Sequence, residues 1–175
     1  MRVYVTTYNR YNAGSLAGKW FDLSDYADRG AFFSACKEYL ADETDPEIMF
    51  ADIETSIPGN WLGESHIDDD CWEYLDLSEH EKETVEAYYE AYGNRTDLGE
   101  LIKNALESLS TTTEGRDHED FIDEMLEVNG YCDDKMTDLK QLGIYMDYEA
   151  SWHRHFKHNY HFARYNGRNW YFRAN

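Results

Sequence analysis

All 36 acidic residues of this 175-residue chain lie between positions 21 and 149. Residues 1–20 hold Arg2, Arg10 and Lys19 and no acid, and residues 150–175 hold Arg154, Lys157, Arg164, Arg168 and Arg173 and again no acid. The middle therefore sets eight cations against 36 acids, a net −28 in a chain whose total is −20. Too few cations are present to pair so many carboxylates, and unpaired carboxylates stay in water, so each middle element must give one face to solvent. The same count excludes ordinary nucleic-acid binding through a basic surface. Disorder is excluded by 15 Tyr, 8 Phe and 5 Trp, core material that acidic disordered tails lack.

The density of charge can be placed on a scale. A compact protein of this size exposes about 8,900 Å², so a net −28 spread over half of that area gives each charge roughly 160 Å². B-DNA, as a cylinder of ~10 Å radius with one charge per ~1.7 Å, gives each phosphate about 110 Å². The two are comparable. A net −20 scattered over the whole surface would leave about 450 Å² per charge.

Residues 2–8 (RVYVTTY) read as a strand, and GKWFDL at 18–23 as its antiparallel neighbour across a loop holding Asn12, Gly14 and Gly18. Asp28 caps a predicted helix through about Leu40, with Phe32, Phe33, Cys36, Tyr39 and Leu40 at helical spacing. Pro46 ends that unit, IMFAD at 48–52 is a third strand, and Pro58-Gly59 turns the chain into Trp61-Leu62-Gly63.

From Asp68 to Leu139 strand signals disappear and helices follow. Asp68, Asp69 and Asp70 sit at a helix start, where they favour the macrodipole, and Ser78-x-x-Glu81 is a capping box. On a helix from Glu79 to Tyr92, the sequence places Glu79, Glu83, Glu86 and Glu90 on one face and Val85, Tyr88, Tyr89 and Tyr92 on the other. Gly93 and Asn94 stop it, Thr96 caps the next helix through Leu109, and 108–115 (SLSTTTEG) reads as a loop. In the next helix Phe121, Ile122, Met125 and Leu126 face in, while Glu119, Asp120, Asp123, Glu124 and Glu127 face out. A short strand or turn at LGIYMDYEA then runs into a helix, and Asn166-Gly167 between aromatic alternations predicts a hairpin. The reading is α+β, in three small units at 1–63, 64–139 and 140–175.

Catalytic signatures are missing from the sequence: it has no GxSxG elbow, HExxH, Gly-rich phosphate loop or CxxC. No EF-hand spacing is present at the Asp42-Glu43-x-Asp45 or 68–70 clusters. His153, His155, His158 and His161 share their segment with Arg154, Lys157 and Arg164, which repel a metal ion, so they read as solvated or partner-facing. We therefore expect no enzyme, cofactor or metal. Cys36, Cys71 and Cys132 are expected to be free buried thiols. Without an 18-residue apolar run or a basic-then-apolar opening, the chain is expected to be soluble and cytoplasmic.

Three places resemble the ArdA-type antirestriction family. VYVTTYNRYNAGSLAGKWFDL resembles its opening strand, Tyr-Asn turn, Gly-x-x-x-Gly loop and Trp-aromatic strand; the acidic helical centre is shared; and LGIYMDYEA at 142–150 resembles its antirestriction motif. The resemblance implies motif positions Leu142, Gly143, Tyr145, Asp147, Tyr148, Glu149 and Ala150. It also implies an elongated chain of three small domains whose carboxylates imitate bent B-form DNA, and a dimer that doubles its length. Family members occupy the DNA-binding groove of type I restriction-modification enzymes and protect incoming plasmid, transposon or phage DNA. On that reading the mimicking surface comprises Asp68, Asp69, Asp70, Glu79, Glu83, Glu86, Glu90, Glu119, Asp120, Asp123, Glu124 and Glu127.

The tail departs from the pattern, because a DNA mimic gains nothing from its cations. Its aromatic content, its hairpin edge and its reversed charge instead predict a homodimer contact through Tyr145, Tyr148, Trp152 and Phe156. Two other classes stay open: an inhibitor of another DNA-binding defence complex such as a CRISPR effector, and a plain acidic module that binds basic proteins.

Overall fold

The computed structural model describes residues 1–56, 61–93, 97–108, 110–114, 118–130 and 133–174. The expected turn at Pro58-Gly59, the stop at Asn94, the cap at Thr96, the helix end at Leu109 and the thiol of Cys132 lie outside the described residues. The fold is α+β, with an N-terminal sheet, central helices, and a C-terminal helix and strands, as the sequence predicts. Its contacts gather into two compact units, Met1–Lys82 with Thr96–Lys103 and Glu83–Arg95 with Asn104–Asn175.

In the first unit β1 (Arg2–Thr7) is the central strand of an antiparallel sheet, flanked by β2 (Lys19–Asp22) and β3 (Ile48–Glu54). Between β1 and β2 lies a short helix, α1 (Tyr8–Asn12), capped by the Thr7 hydroxyl, which accepts from the Arg10 amide at 3.1 Å. The period of two buries Val3, Val5 and Phe21 on one face. Helix α2 (Arg29–Tyr39) covers that face. It begins where the Asp28 carboxylate accepts from the Ala31 amide at 2.7 Å. From it Phe32 meets the rings of Phe21, Phe50 and Trp72 at 6.1, 5.9 and 6.1 Å, which makes Phe32 the hub of this core. Cys36 and Cys71 are free and buried as expected, and burial pushes both thiols up to about 12.

A two-stranded ribbon, β4 (Leu62–Gly63) and β5 (His66–Ile67), leads to α3 (Asp70–Asp76). Helix α4 (Glu79–Tyr92) starts on the expected capping box: the Ser78 amide donates to Glu81 Oε2 at 2.8 Å and the Glu81 amide to Ser78 Oγ at 3.4 Å. It stops at Gly93, whose φ of +75° suits glycine, with the Gly93 amide on the Tyr89 carbonyl at 2.7 Å. Helix α5 (Leu98–Glu107) is capped by Asp97, whose carboxylate accepts from the Glu100 amide at 2.7 Å.

The second unit corrects one expectation. The segment read as a loop contains β6 (Ser110–Thr113), paired antiparallel with the last strand. Three consecutive β-branched threonines fit a pleated strand, and the edge that receives them is formed by residues almost sixty positions later, which no local pattern reveals. Helices α6 (Glu119–Val128), α7 (Asp133–Gln141) and α8 (Tyr148–Ser151) follow, and α8 continues as a π turn over Trp152–Phe156. The hairpin of β7 (Tyr160–Tyr165) and β8 (Arg168–Arg173) turns on Asn166 and Gly167 at φ +49° and +77°, the two positive values a type I′ turn requires. Strand β8 is central in the order β6-β8-β7. Its alternation feeds two cores: Tyr171 packs with Phe121, Ile122 and Trp152, while Trp170 and Phe172 pack with Ala87 of α4.

Candidate functional site

Helix α6 offers the clearest candidate surface. Phe121 and Ile122 are sunk in the core with Met125 and Leu126 packed beside them, which fixes the helix's rotation. Glu119, Asp120, Asp123, Glu124 and Glu127 are consequently all exposed, as the sequence predicts. Among the described residues no ion pair engages any of them. Asp123 accepts a hydrogen bond from the Tyr148 hydroxyl at 2.9 Å. Burial raises that hydroxyl's pKa to about 12, helped by this bond and by the charges of Asp123, Glu119 and Asp120. Tyr148 thus ties α8 to α6 and registers the negative field over the helix.

The row on α4 is different and needs correction. Glu79 and Glu90 are exposed, whereas Glu83 keeps only 20% of its side chain in solvent and Glu86 is buried at 9%. Glu86 accepts from the Tyr165 hydroxyl at 2.6 Å, a bond that leads the causes pushing that tyrosine up to about 12. Glu83 accepts from the Asn166 side chain and lies 3.5 Å from the Arg168 guanidinium, which also approaches Glu114 at 3.8 Å. The hairpin tip folds onto these two glutamates, so the fold itself consumes half of the predicted row. Helical periodicity groups the four glutamates; what it omits is the strand pair that lands on two of them.

The 68–70 cluster is also partly structural. Asp68 Oδ1 accepts from the Asp70 amide at 3.1 Å, and Asp70 Oδ2 accepts from the Gly99 amide at 2.9 Å, so Asp70 satisfies a donor in the first turn of α5. Asp69 is exposed and lies 3.8 Å from Arg29.

In the 142–150 segment, Leu142 and Tyr145 are each 75% exposed, and Gly143 turns the chain at φ +75°. Asp147 caps α8, accepting from the Ala150 amide at 2.9 Å, and Glu149 lies 2.8 Å from His153 Nε2. Ala150 is half-buried. The predicted contact residues divide likewise. Tyr145 is open to solvent, Tyr148 and Phe156 are half-buried against the core, and Trp152 is a core residue 6% exposed, stacked on His118 at 4.0 Å. Trp152 is therefore not a surface contact; the π turn rotates it inward.

Arg154, Lys157, Arg164 and Arg173 are exposed, and no described ion pair engages them. Among the described residues no cluster of three or more His, Cys, Asp or Glu is placed to hold a metal ion, and no helix is long and apolar enough to cross a membrane. A cavity of about 370 Å³ also lies on the N-terminal sheet, at residues that no motif in the sequence singles out. Its signal was the run of alternate polar-aromatic positions Tyr4, Thr6 and Trp20 opposite the buried valines.

Residues 3–166 match the family described as Antirestriction protein (ArdA). No curated protein and no solved structure matches the chain.

Proposed function

The chain belongs to the ArdA antirestriction family, and we propose that it blocks a restriction-modification enzyme by presenting carboxylates where that enzyme expects DNA phosphates. Family membership supports the antirestriction role and interaction with restriction-modification systems in general. The observation that carries the mimicry reading is α6. Its five exposed acids run from Glu119 to Glu127, about 12 Å of axis, so one charge falls every ~3 Å. Along one strand of DNA a phosphate falls every ~3.4 Å. The target proposed is the methyltransferase core of a type I enzyme, in the cytoplasm of a bacterial host, with incoming mobile-element or phage DNA protected as a result. A homodimer extends the charged surface, and in this reading Tyr145 and its exposed neighbours replace Trp152 as the contact.

The test is competition between the purified protein and a cognate DNA duplex for a restriction-methyltransferase core. The duplex is expected to be displaced without cleavage or modification, and displacement is expected to weaken as salt rises. Salt-independent binding, or simultaneous binding of duplex and protein, would refute mimicry. Failure on this core with success on a CRISPR effector would move the same mechanism to that target.

A further inference from the structure

The two faces of the N-terminal sheet are treated differently. One is closed by α2, whereas on the other the cross-strand register sets Tyr4 directly between Trp20 and Asp52. A shift of register between Tyr4 and Val5 leaves Ala51 as the extra residue of β3, and bulges of this kind re-aim the side chains beside them. Here Ala51 and Asp52 both line the cavity of about 370 Å³ on this face. The rest of the lining comes from Tyr11 of α1 and from Ser15 and Leu16 in the segment after it. That segment is fastened to β1 at two points: the Tyr4 hydroxyl donates to the Leu16 carbonyl at 2.9 Å, and Thr6 Oγ1 donates to the Ala17 carbonyl at 2.7 Å. Gly18 is required for the closure, because a Cβ there would lie 2.5 Å from the Tyr4 ring.

The chemistry of the lining is selective. Tyr4, Tyr11 and Trp20 supply π faces, Asp52 supplies a carboxylate, and among the described residues no cation lines the cavity. Asp52 Oδ1 accepts from the Ile53 amide at 2.9 Å, and no described ion pair engages the carboxylate. A neighbouring guanidinium already samples the same ring: Arg2 sits 5.4 Å from the Trp20 centroid while bound to Glu54. A planar cation on an apolar stem, entering between aromatic rings toward a carboxylate, is the ligand such a lining favours.

We propose that this cavity receives an arginine side chain presented by the target protein. The source of that arginine rests on the antirestriction reading, since an enzyme groove that holds DNA is lined with such side chains. The cavity would give the complex a fixed register that a row of solvated carboxylates lacks.

Two arms test it. In the first, the intact protein is titrated with acetyl-arginine amide and with its uncharged isostere acetyl-citrulline amide, while the Tyr and Trp ring resonances are followed by NMR. Saturation in the millimolar range is expected for arginine alone, with shifts confined to Tyr4, Tyr11 and Trp20. Asp52→Asn and Tyr11→Ala should each weaken it by about 2–5-fold. Glu38→Gln, which removes an exposed charge from the helix on the opposite face, should leave it unchanged. Equal binding of citrulline, shifts elsewhere, or equal effects of Glu38→Gln and Asp52→Asn would overturn the site. In the second arm, the double variant Asp52→Asn/Tyr11→Ala should require at least about 3-fold more protein than Glu38→Gln for half-inhibition of the restriction enzyme. Undiminished inhibition by the double variant overturns the pocket's role in the complex. A wild type that does not inhibit refutes the antirestriction reading and this source of the arginine, while the first arm still decides the ligand.

Discussion

If the acids of α6 are held for a partner, removing the two nearest its C-terminus should help the fold and harm the function. Glu124 and Glu127 are exposed on a helix ending at Val128, and Glu127 stands in its last turn, where the macrodipole disfavours negative charge by about 0.3–1 kcal/mol. They also make three like-charge pairs at helical spacing: Asp120 with Glu124, Asp123 with Glu127, and Glu124 with Glu127. Each costs about 0.2–0.5 kcal/mol. Glu124→Gln/Glu127→Gln should therefore stabilise the protein by roughly 1–2.5 kcal/mol in urea unfolding. In the complex, two partly solvated ion pairs worth about 0.2–1 kcal/mol each are lost, so affinity should fall by about 2–30-fold. Asp123 stays untouched, because Tyr148 depends on it. The two readouts must move in opposite directions. A variant that is less stable and inhibits as well as the wild type would show that these carboxylates serve the fold and not a partner.

Inhibition should be distributed, so any one of Glu90, Asp120 or Glu124 changed to its amide should lower affinity by no more than a few-fold; abolition by a single change would indicate a localised site instead. Trp152→Ala should cost about 3–5 kcal/mol and unfold the second unit, as read by near-ultraviolet circular dichroism. Tyr145→Ala, in contrast, should keep the native spectrum and lower the dimer fraction in sedimentation; a native-like Trp152→Ala would contradict the packing described for it. Tyr148 and Tyr165 hold their protons to about 12 in the folded chain against about 10 when unfolded. Their contribution is therefore complete below pH ~10 and lost as the pH rises toward 12. Tyr165→Phe should flatten the fall of the urea midpoint over that window, and an unchanged slope would mean the hydroxyl is not bound to Glu86 in solution.

The sequence is most informative where the determining contact is local. Asp28, the Ser78–Glu81 box and Asn166-Gly167 act over two or three residues, and each stands where the pattern places it. The inward face of α6 is legible for the same reason, since one helical period sorts Phe121 and Ile122 from their acidic neighbours. What escapes is decided across the chain. Thr111–Thr113 become a strand because Asn169–Tyr171 offer them an edge. Glu86 turns structural because Tyr165 reaches it from 79 positions away. Trp152 is drawn into the core by a π turn that no spacing rule anticipates. The alternation of β1 marks the face that carries Tyr4 and Thr6 but not the one-residue bulge beside it, which depends on how β3 pairs with β1.

Among the described residues, the two three-stranded sheets place their central strands at opposite ends of the order in which a ribosome makes them. In the first, β1 leads, and β2 and β3 can dock on it as each emerges. In the second, β8 comes last, and β6 and β7 have no neighbour to bond until it arrives. Until residue 173 has left the exit tunnel, Phe121 and Trp152 lack the Tyr171 ring that completes their core. Through that interval the row of acids on α6 is the solubilising face of an unfinished structure. A chain truncated at Gly167 would keep two of the three strands and yet form no sheet from them.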